Sequence, residues 1–275
     1  MKNNQLMIYG AYGYAGELMV REAVAQRLRP IIAGRDAEKL KPIATELSLE
    51  CRAFGVRNTG SNLQDISVLL NCAGPFSATA EPLARACLAQ QIHYLDITGE
   101  IDIFRKCHAL DEEARQQNVL ILPGAGTDIV PTDCLAAMLK EKPPVATRID
   151  LALSFGTNPS IGTVNTMIES FGKGGLIREG GMLKVVSNAF QMRKIPFQNK
   201  PQWAMTIPWG DVFTSGISTG VPDGAVYMAM PRMSIYMIRL TNPVKGILNT
   251  QFGQKITKRL AGWLMKKGPD AKALE

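Results

Sequence analysis

Leu6-Met7-Ile8-Tyr9-Gly10-Ala11-Tyr12-Gly13-Tyr14-Ala15-Gly16 opens the chain with a short apolar strand, a glycine-spaced turn and the start of a helical pattern. Its three glycines follow G-x-x-G-x-x-G spacing. Glycine suits such a turn because the tight backbone disfavours a Cβ and because a phosphate can then approach bare main chain. The helix that follows would offer unpaired N–H groups and the positive end of its dipole. The spacing departs from the G-x-G-x-x-G of the usual dinucleotide fingerprint. Its place, after a strand and before a helix, favours a dinucleotide over a merely structural turn. Gly10, Tyr12, Gly13, Tyr14, Ala15 and Gly16 are the first cofactor-binding candidates.

The next apolar strand, Pro30 to Ala33, runs into Gly34-Arg35-Asp36, about where a Rossmann-type domain meets the adenosine ribose. An acidic residue there would accept hydrogen bonds from the two ribose hydroxyls of NAD, whereas a guanidinium would pair with the 2′-phosphate of NADP. Arg35 directly follows the small Gly34, and Lys39 lies four positions later. These residues favour NADP. Asp36 competes as a ribose ligand, but its preferred role is N-cap of the helix beginning near Ala37.

Further along, short apolar runs alternate with amphipathic stretches. Helices are predicted over Gly16–Leu28, Ala37–Leu47, Pro82–Gln90, Ile103–Gln117 and Asp133–Lys140, and further strands over Val68–Asn71, His93–Ile97 and Val119–Leu122. That order predicts a doubly wound parallel α/β sheet with helices on both faces. The pair Pro143-Pro144 puts a domain boundary near residue 145, giving domains 1–145 and 146–275. The second domain reads as a smaller α+β unit with an antiparallel or mixed sheet. Strands are expected at Arg148–Phe155, Trp203–Pro208, Val212–Ser218 and Ala225–Met230, with a helix at Thr163–Phe171 and a glycine-rich connection at Gly172–Gly181. Helical periodicity over Ser234–Lys267 breaks at Asn242-Pro243.

Of 275 residues, 46% are apolar and 20% charged, which is globular composition and excludes a disordered chain. The five cysteines are odd in number and form no C-x-x-C pair, and there are two histidines, so neither a disulfide framework nor a metal site is expected. Polar residues precede the first strand, and no run reaches the roughly 18–20 apolar residues that span a bilayer. A cytoplasmic location is expected. Residues 1–150 hold 16 Lys and Arg against 18 Asp and Glu, whereas residues 151–275 hold 15 against 6. An anionic substrate, an anionic membrane surface, nucleic acid or a merely solvated surface would each explain the basic half. No nucleic-acid motif accompanies it, which ranks nucleic acid last.

Several stretches resemble the saccharopine dehydrogenase-like NADP-binding family, which includes trans-acting enoyl reductases. They are Tyr9 to Gly16, Ala33-Gly34-Arg35, Asn71 to Phe76, His93 to Glu100, Pro123 to Asp128 and Pro208 to Asp211. The likeness is dense over the first 135 residues and sparse beyond. It implies a Rossmann domain followed by a mixed-sheet domain, with the active site in the cleft between. Similar proteins continue past the point where this sequence stops, so the chain reads either as a short member or as a truncated one. At the strand ends, Cys72, Ala73, Gly74, Pro75, Thr98 and Gly99 are cofactor candidates, their small side chains letting backbone pass the nicotinamide ribose. Cys72 reads as a buried hydrophobe rather than a nucleophile.

Glu100 and Asp128 each follow a turn at a predicted strand end, where a carboxylate serves as proton donor or orienting group, or else as a cap or loop acceptor. Asp211 is a cleft-lining candidate or a turn residue, and Lys173 and Arg178 are candidate anchors for an anionic substrate. The favoured function is hydride transfer between NADPH and a C=N, C=O or activated C=C bond of a small substrate. Two alternatives stand beside it: an NADP-sensing protein without turnover, and a membrane-associated lipid reductase. The second alternative would bind through a basic helix around Trp263 and Leu264. A homodimer is common for such folds.

Overall fold

The computed structural model describes residues 5–141, 146–154, 174–198, 200–244 and 250. The chain divides into two compact units, Met1–Pro131 and Thr132–Glu275.

The first unit runs β1 (Leu6–Tyr9), α1 (Tyr14–Ala25), β2 (Ile31–Gly34), α2 (Ala37–Leu47), β3 (Cys51–Ala53), β4 (Val68–Asn71) and α3 (Phe76–Ala89). It continues with β5 (His93–Asp96), α4 (Ile101–His108), α5 (Asp111–Gln116) and β6 (Ile121–Leu122). The strands lie in the order β3-β2-β1-β4-β5-β6, and every pair is parallel. This is the Rossmann order, in which direction reverses between β1 and β4 and opens a crevice at their C-terminal ends.

Strand alternation explains why the central runs are apolar throughout. Met7 and Tyr9 enter one core with Ile31, Leu69, Leu83, Tyr94 and Ile103. Ile8 enters the other, with Ile32, Val20, Leu40 and Ile43. Helices cover both faces, so neither side of the strand can be polar. Each such buried side chain contributes about 1.5–3 kcal/mol relative to exposure.

Some boundaries differ from expectation. Helix α3 starts at Phe76 rather than Pro82, which lies inside it. The stretch predicted as one helix over Ile103–Gln117 is two, because buried Leu110 interrupts it and the acidic run Asp111-Glu112-Glu113 begins a new first turn. The strand Cys51–Ala53 was not expected at all.

Helix α6 (Val130–Lys140) enters the second unit, which continues with β7 (Arg148–Leu153), β8 (Gly175–Glu179), β9 (Met182–Val186), β10 (Met192–Pro196) and β11 (Pro201–Ile207). Next come α7 (Asp211–Thr219), β12 (Asp223–Ala229), α8 (Arg232–Leu240) and a 3-10 turn at Asn242–Val244. The sheet is mixed: β10-β11-β12-β8-β9 are antiparallel neighbours, and β7 lies parallel to β12. Ile177, Val186, Ala204, Ala225 and Tyr227 form its core.

Here the expectations need two corrections. Val212–Ser218 is a helix, not a strand; its buried residues Val212, Ser215 and Thr219 follow helical spacing, and Gly220 ends it in the left-handed region. The expected connection at Gly172–Gly181 contains strand β8, joined to β9 through a Gly180-Gly181 turn with Glu179 opposite Met182. The units part at Pro131, ahead of the Pro143-Pro144 pair. Thr132 and Asp133 on α6 bond to Asp211 and Ser218 of α7, so the helix belongs to the second unit's packing. Thr163–Phe171 and the 251–267 end of the expected C-terminal helix, including Trp263 and Leu264, lie outside the described residues. Among the described residues no helix is long and apolar enough to cross a membrane.

Candidate dinucleotide site

The glycine turn follows directly from β1. Gly10 has φ +85° and donates to Ala33 O at 2.8 Å, while Gly13 N donates to Gly10 O at 3.0 Å. A Cβ on Gly10 would lie 2.7 Å from the backbone nitrogen of Ala73, and one on Gly16 would land on the Gly10 carbonyl oxygen. The two glycines thus let the β4 loop and α1 close on the turn. Gly13 is the N-cap of α1 and brings no side chain to it; the first helical bond runs from Glu17 N to Gly13 O. The amides of Tyr14, Ala15 and Gly16 therefore precede the helical ladder and face out of the helix N-terminus.

Around the end of β2, the missing Cβ of Gly34 makes room for the Tyr12 ring, which a Cβ would meet at 2.6 Å. Lys39 Nζ stands 5.7 Å from the centre of that ring and 3.8 Å from Asp36 Oδ2. Asp36 Oδ1 accepts from Glu38 N at 3.1 Å and Lys39 N at 3.3 Å, so this carboxylate caps α2. Arg35 is exposed and makes no ion pair among the described residues. Two cations and an aromatic ring thus surround the strand end, while the acid that would suit a ribose diol is turned into the helix. This donor set fits a phosphate monoester.

The other candidates gather where β4, β5 and β6 end. Cys72 is buried, and burial pushes its thiol up to about 12, so it is no nucleophile. Ala73 and the cis Gly74–Pro75 bond lead into α3. Thr98 is fully buried and its hydroxyl accepts from Glu100 N at 3.1 Å, which uses the side chain to shape the loop. Glu100 is the N-cap residue of α4, but its side chain makes no cap bond. Asp128 Oδ2 comes within 4.0 Å of where a Gly99 Cβ would sit. Asp128 is exposed as a residue, yet enough protein surrounds its carboxyl for burial to raise its pKa.

Beneath these loops runs a buried polar chain that the sequence reading passed over. Asn71 Oδ1 accepts from Ala73 N at 3.0 Å, and Asn71 Nδ2 donates to Thr79 Oγ1 at 3.2 Å and to Tyr94 OH at 3.1 Å. Thr79 in turn donates to Ala73 O at 2.6 Å. Tyr94 OH donates to Asp96 Oδ2 at 2.8 Å, and Asp96 Oδ1 accepts from Thr98 N at 3.0 Å and Gly124 N at 2.9 Å. Asn71 and Asp96 are fully buried, and burial raises the Asp96 pKa against the pull of its donors. The signal was available: period two puts Tyr94 and Asp96 on one face of β5, and Asn71 is the register partner of Asp96.

In the second unit, Arg178 is 3% exposed and donates to the carbonyls of Val221 and Val212 and to Ser215 Oγ. Its guanidinium fastens α7 to the sheet, which corrects its expected role as a substrate anchor. Asp211 begins α7, is fully buried and accepts from Thr132 Oγ1 at 2.7 Å, so it does not line an open surface. Lys173 lies outside the described residues.

A Rossmann sheet with a glycine turn and a cationic β2 end defines a nicotinamide-dinucleotide-binding protein. Residues 6–122 match the family model of the saccharopine dehydrogenase NADP binding domain. The saccharopine dehydrogenase-like oxidoreductase of Rattus norvegicus is 26% identical over 231 residues, covering 74% of this chain and 53% of that protein. Its Homo sapiens counterpart is 25% identical over 233 residues, covering 73% and 53%. Among solved structures, apo saccharopine dehydrogenase (L-Glu forming) from Saccharomyces cerevisiae superposes with a TM-score of 0.62 at 9% identity, over 87% of this chain and 57% of that one, a likeness of fold. The match to the saccharopine dehydrogenase NADP binding domain covers most of the first unit. The chain spans about half the length of the curated relatives it matches.

Proposed function

We propose that the chain is an NADP(H)-dependent oxidoreductase acting on a small anionic substrate. The observation that carries this is the β2 end, where exposed Arg35 stands beside Lys39, itself held over the Tyr12 ring and 3.8 Å from Asp36, while the Asp36 carboxylate caps α2 rather than offering itself to a ribose. The relatives' name, saccharopine dehydrogenase-like oxidoreductase, and the match of residues 6–122 to an NADP binding domain support the same reading. Gly10, Gly13 and the amides of Tyr14, Ala15 and Gly16 would hold the pyrophosphate. When bound, NADPH supplies a hydride for a C=N, C=O or activated C=C bond. The chain's own contribution is binding, orientation and one proton. Asp128 is the better proton carrier, since burial holds its carboxyl protonated to higher pH than an ordinary aspartate, and Glu100 orients the substrate or shares the task. The basic composition of residues 151–275 supports an anionic substrate.

Calorimetric titration of the wild type and of Arg35→Ala with NADPH and NADH tests the reading. NADPH should bind more tightly to the wild type, and the variant should lose about tenfold or more of that preference. Equal affinities for the two nucleotides, or a preference that survives in the variant, would reject NADP recognition by this strand end. Substrate-dependent oxidation of NADPH then separates an enzyme from a sensor.

A further inference from the structure

Resting on the cofactor reading above, we propose that Asp96, acting through Tyr94 and Asn71, is a positioning residue that sets the three strand-end loops of the nicotinamide side. The backbone ladders stop at the ends of β4, β5 and β6. Beyond those ends, side chains continue the order in one unbroken run: Ala73 to Asn71, Asn71 to Tyr94, Tyr94 to Asp96, and Asp96 to Thr98 and Gly124. A single carboxylate therefore reaches the loop that carries Cys72 to Pro75, the loop of Thr98 to Glu100, and the loop leading to Asp128.

Stability alone gives a poor account of this chain. A buried carboxylate costs several kcal/mol in desolvation, and an apolar trio of similar volume would fill the same space without that cost. Asp96 makes no ion pair among the described residues. What it offers is acceptor geometry, with two oxygens taking three donors, two of them backbone amides at the origins of separate loops. The far end matters equally. Ala73, bonded to Asn71 and Thr79, is the residue against whose backbone Gly10 packs, so the run also reaches the floor of the glycine turn.

Two variants test the run. Tyr94→Phe removes one oxygen from its middle, and Thr79→Val removes the hydroxyl that braces Asn71 and the Ala73 carbonyl at its end. Each protein is titrated with NADPH and with adenosine 2′-monophosphate, which carries the adenine, ribose and 2′-phosphate but neither pyrophosphate nor nicotinamide. The expected result is that NADPH weakens about tenfold in both variants, the scale of a lost bond in a charged network, while the monophosphate holds within about twofold. Loss of both ligands in parallel, or of neither, would overturn the positioning role and leave the cofactor reading standing. A wild type that binds neither ligand would overturn the cofactor reading, and this inference with it.

Discussion

At Gly10 and Gly34 the absent Cβ faces very different neighbours. A methyl on Gly10 meets the backbone of Ala73 at a φ of +85°, and nothing can move aside without displacing the β4 loop. On Gly34 it meets only the ring of Tyr12, a half-buried side chain able to swing away. Gly10→Ala should cost on the order of 2–4 kcal/mol, from overpacking and left-handed strain together, and Gly34→Ala under about 1 kcal/mol. In double-mutant cycles read by thermal unfolding, Tyr12→Ala should relieve Gly34→Ala and leave Gly10→Ala unchanged. Relief of both, or of neither, would mean that these two close approaches are not what requires glycine. Asp36 carries the companion prediction. If its carboxylate caps α2, Asp36→Ala should lower stability by about 1 kcal/mol while NADH affinity stays put. A loss of NADH affinity would reveal a ribose role instead.

Elements were legible in the sequence wherever one period dominated. Helix α2 and strand β4 fall on their predicted limits because Leu40 and Ile43 keep helical spacing and Val68 to Leu70 is a bare apolar run that ends at Asn71. Reading failed where a local signal pointed to the wrong event. Pro82 looked like a helix start, yet α3 had begun six residues earlier, with the proline simply lacking one donor inside it. Val212 to Ser218 is rich in β-branched and hydroxyl residues, and tertiary packing of Val212, Ser215 and Thr219 made it helical. For the site the division is similar. The glycine turn and Arg35 follow from spacing, whereas the Asn71–Tyr94–Asp96 run joins residues distant in sequence that only sheet register brings together. Charged and hydroxyl residues in a strand suggest a solvated face, and here that face is buried.

For the whole molecule, each unit has a core of its own, two clusters flanking the parallel sheet in the first and one in the second, so damage to one unit need not reach the function of the other. Arg178 provides the check. Arg178→Met leaves the Val212 and Val221 carbonyls without their buried donor and should destabilise the protein by about 1–3 kcal/mol. The dissociation constant for NADPH, measured below the unfolding transition, should stay within about twofold of the wild type; a larger loss would mean that the second unit helps to form the cofactor site. The strand order also bears on synthesis. Strand β1 occupies the middle of its sheet, flanked by β2 and β4, yet it precedes β4 by about sixty residues. At roughly 5–20 residues per second of translation, Leu6 to Tyr9 leave the ribosome some seconds before their second neighbour exists. During that interval a central, largely buried strand of the finished sheet is an open edge of the nascent chain, the kind of segment a holding chaperone would cover.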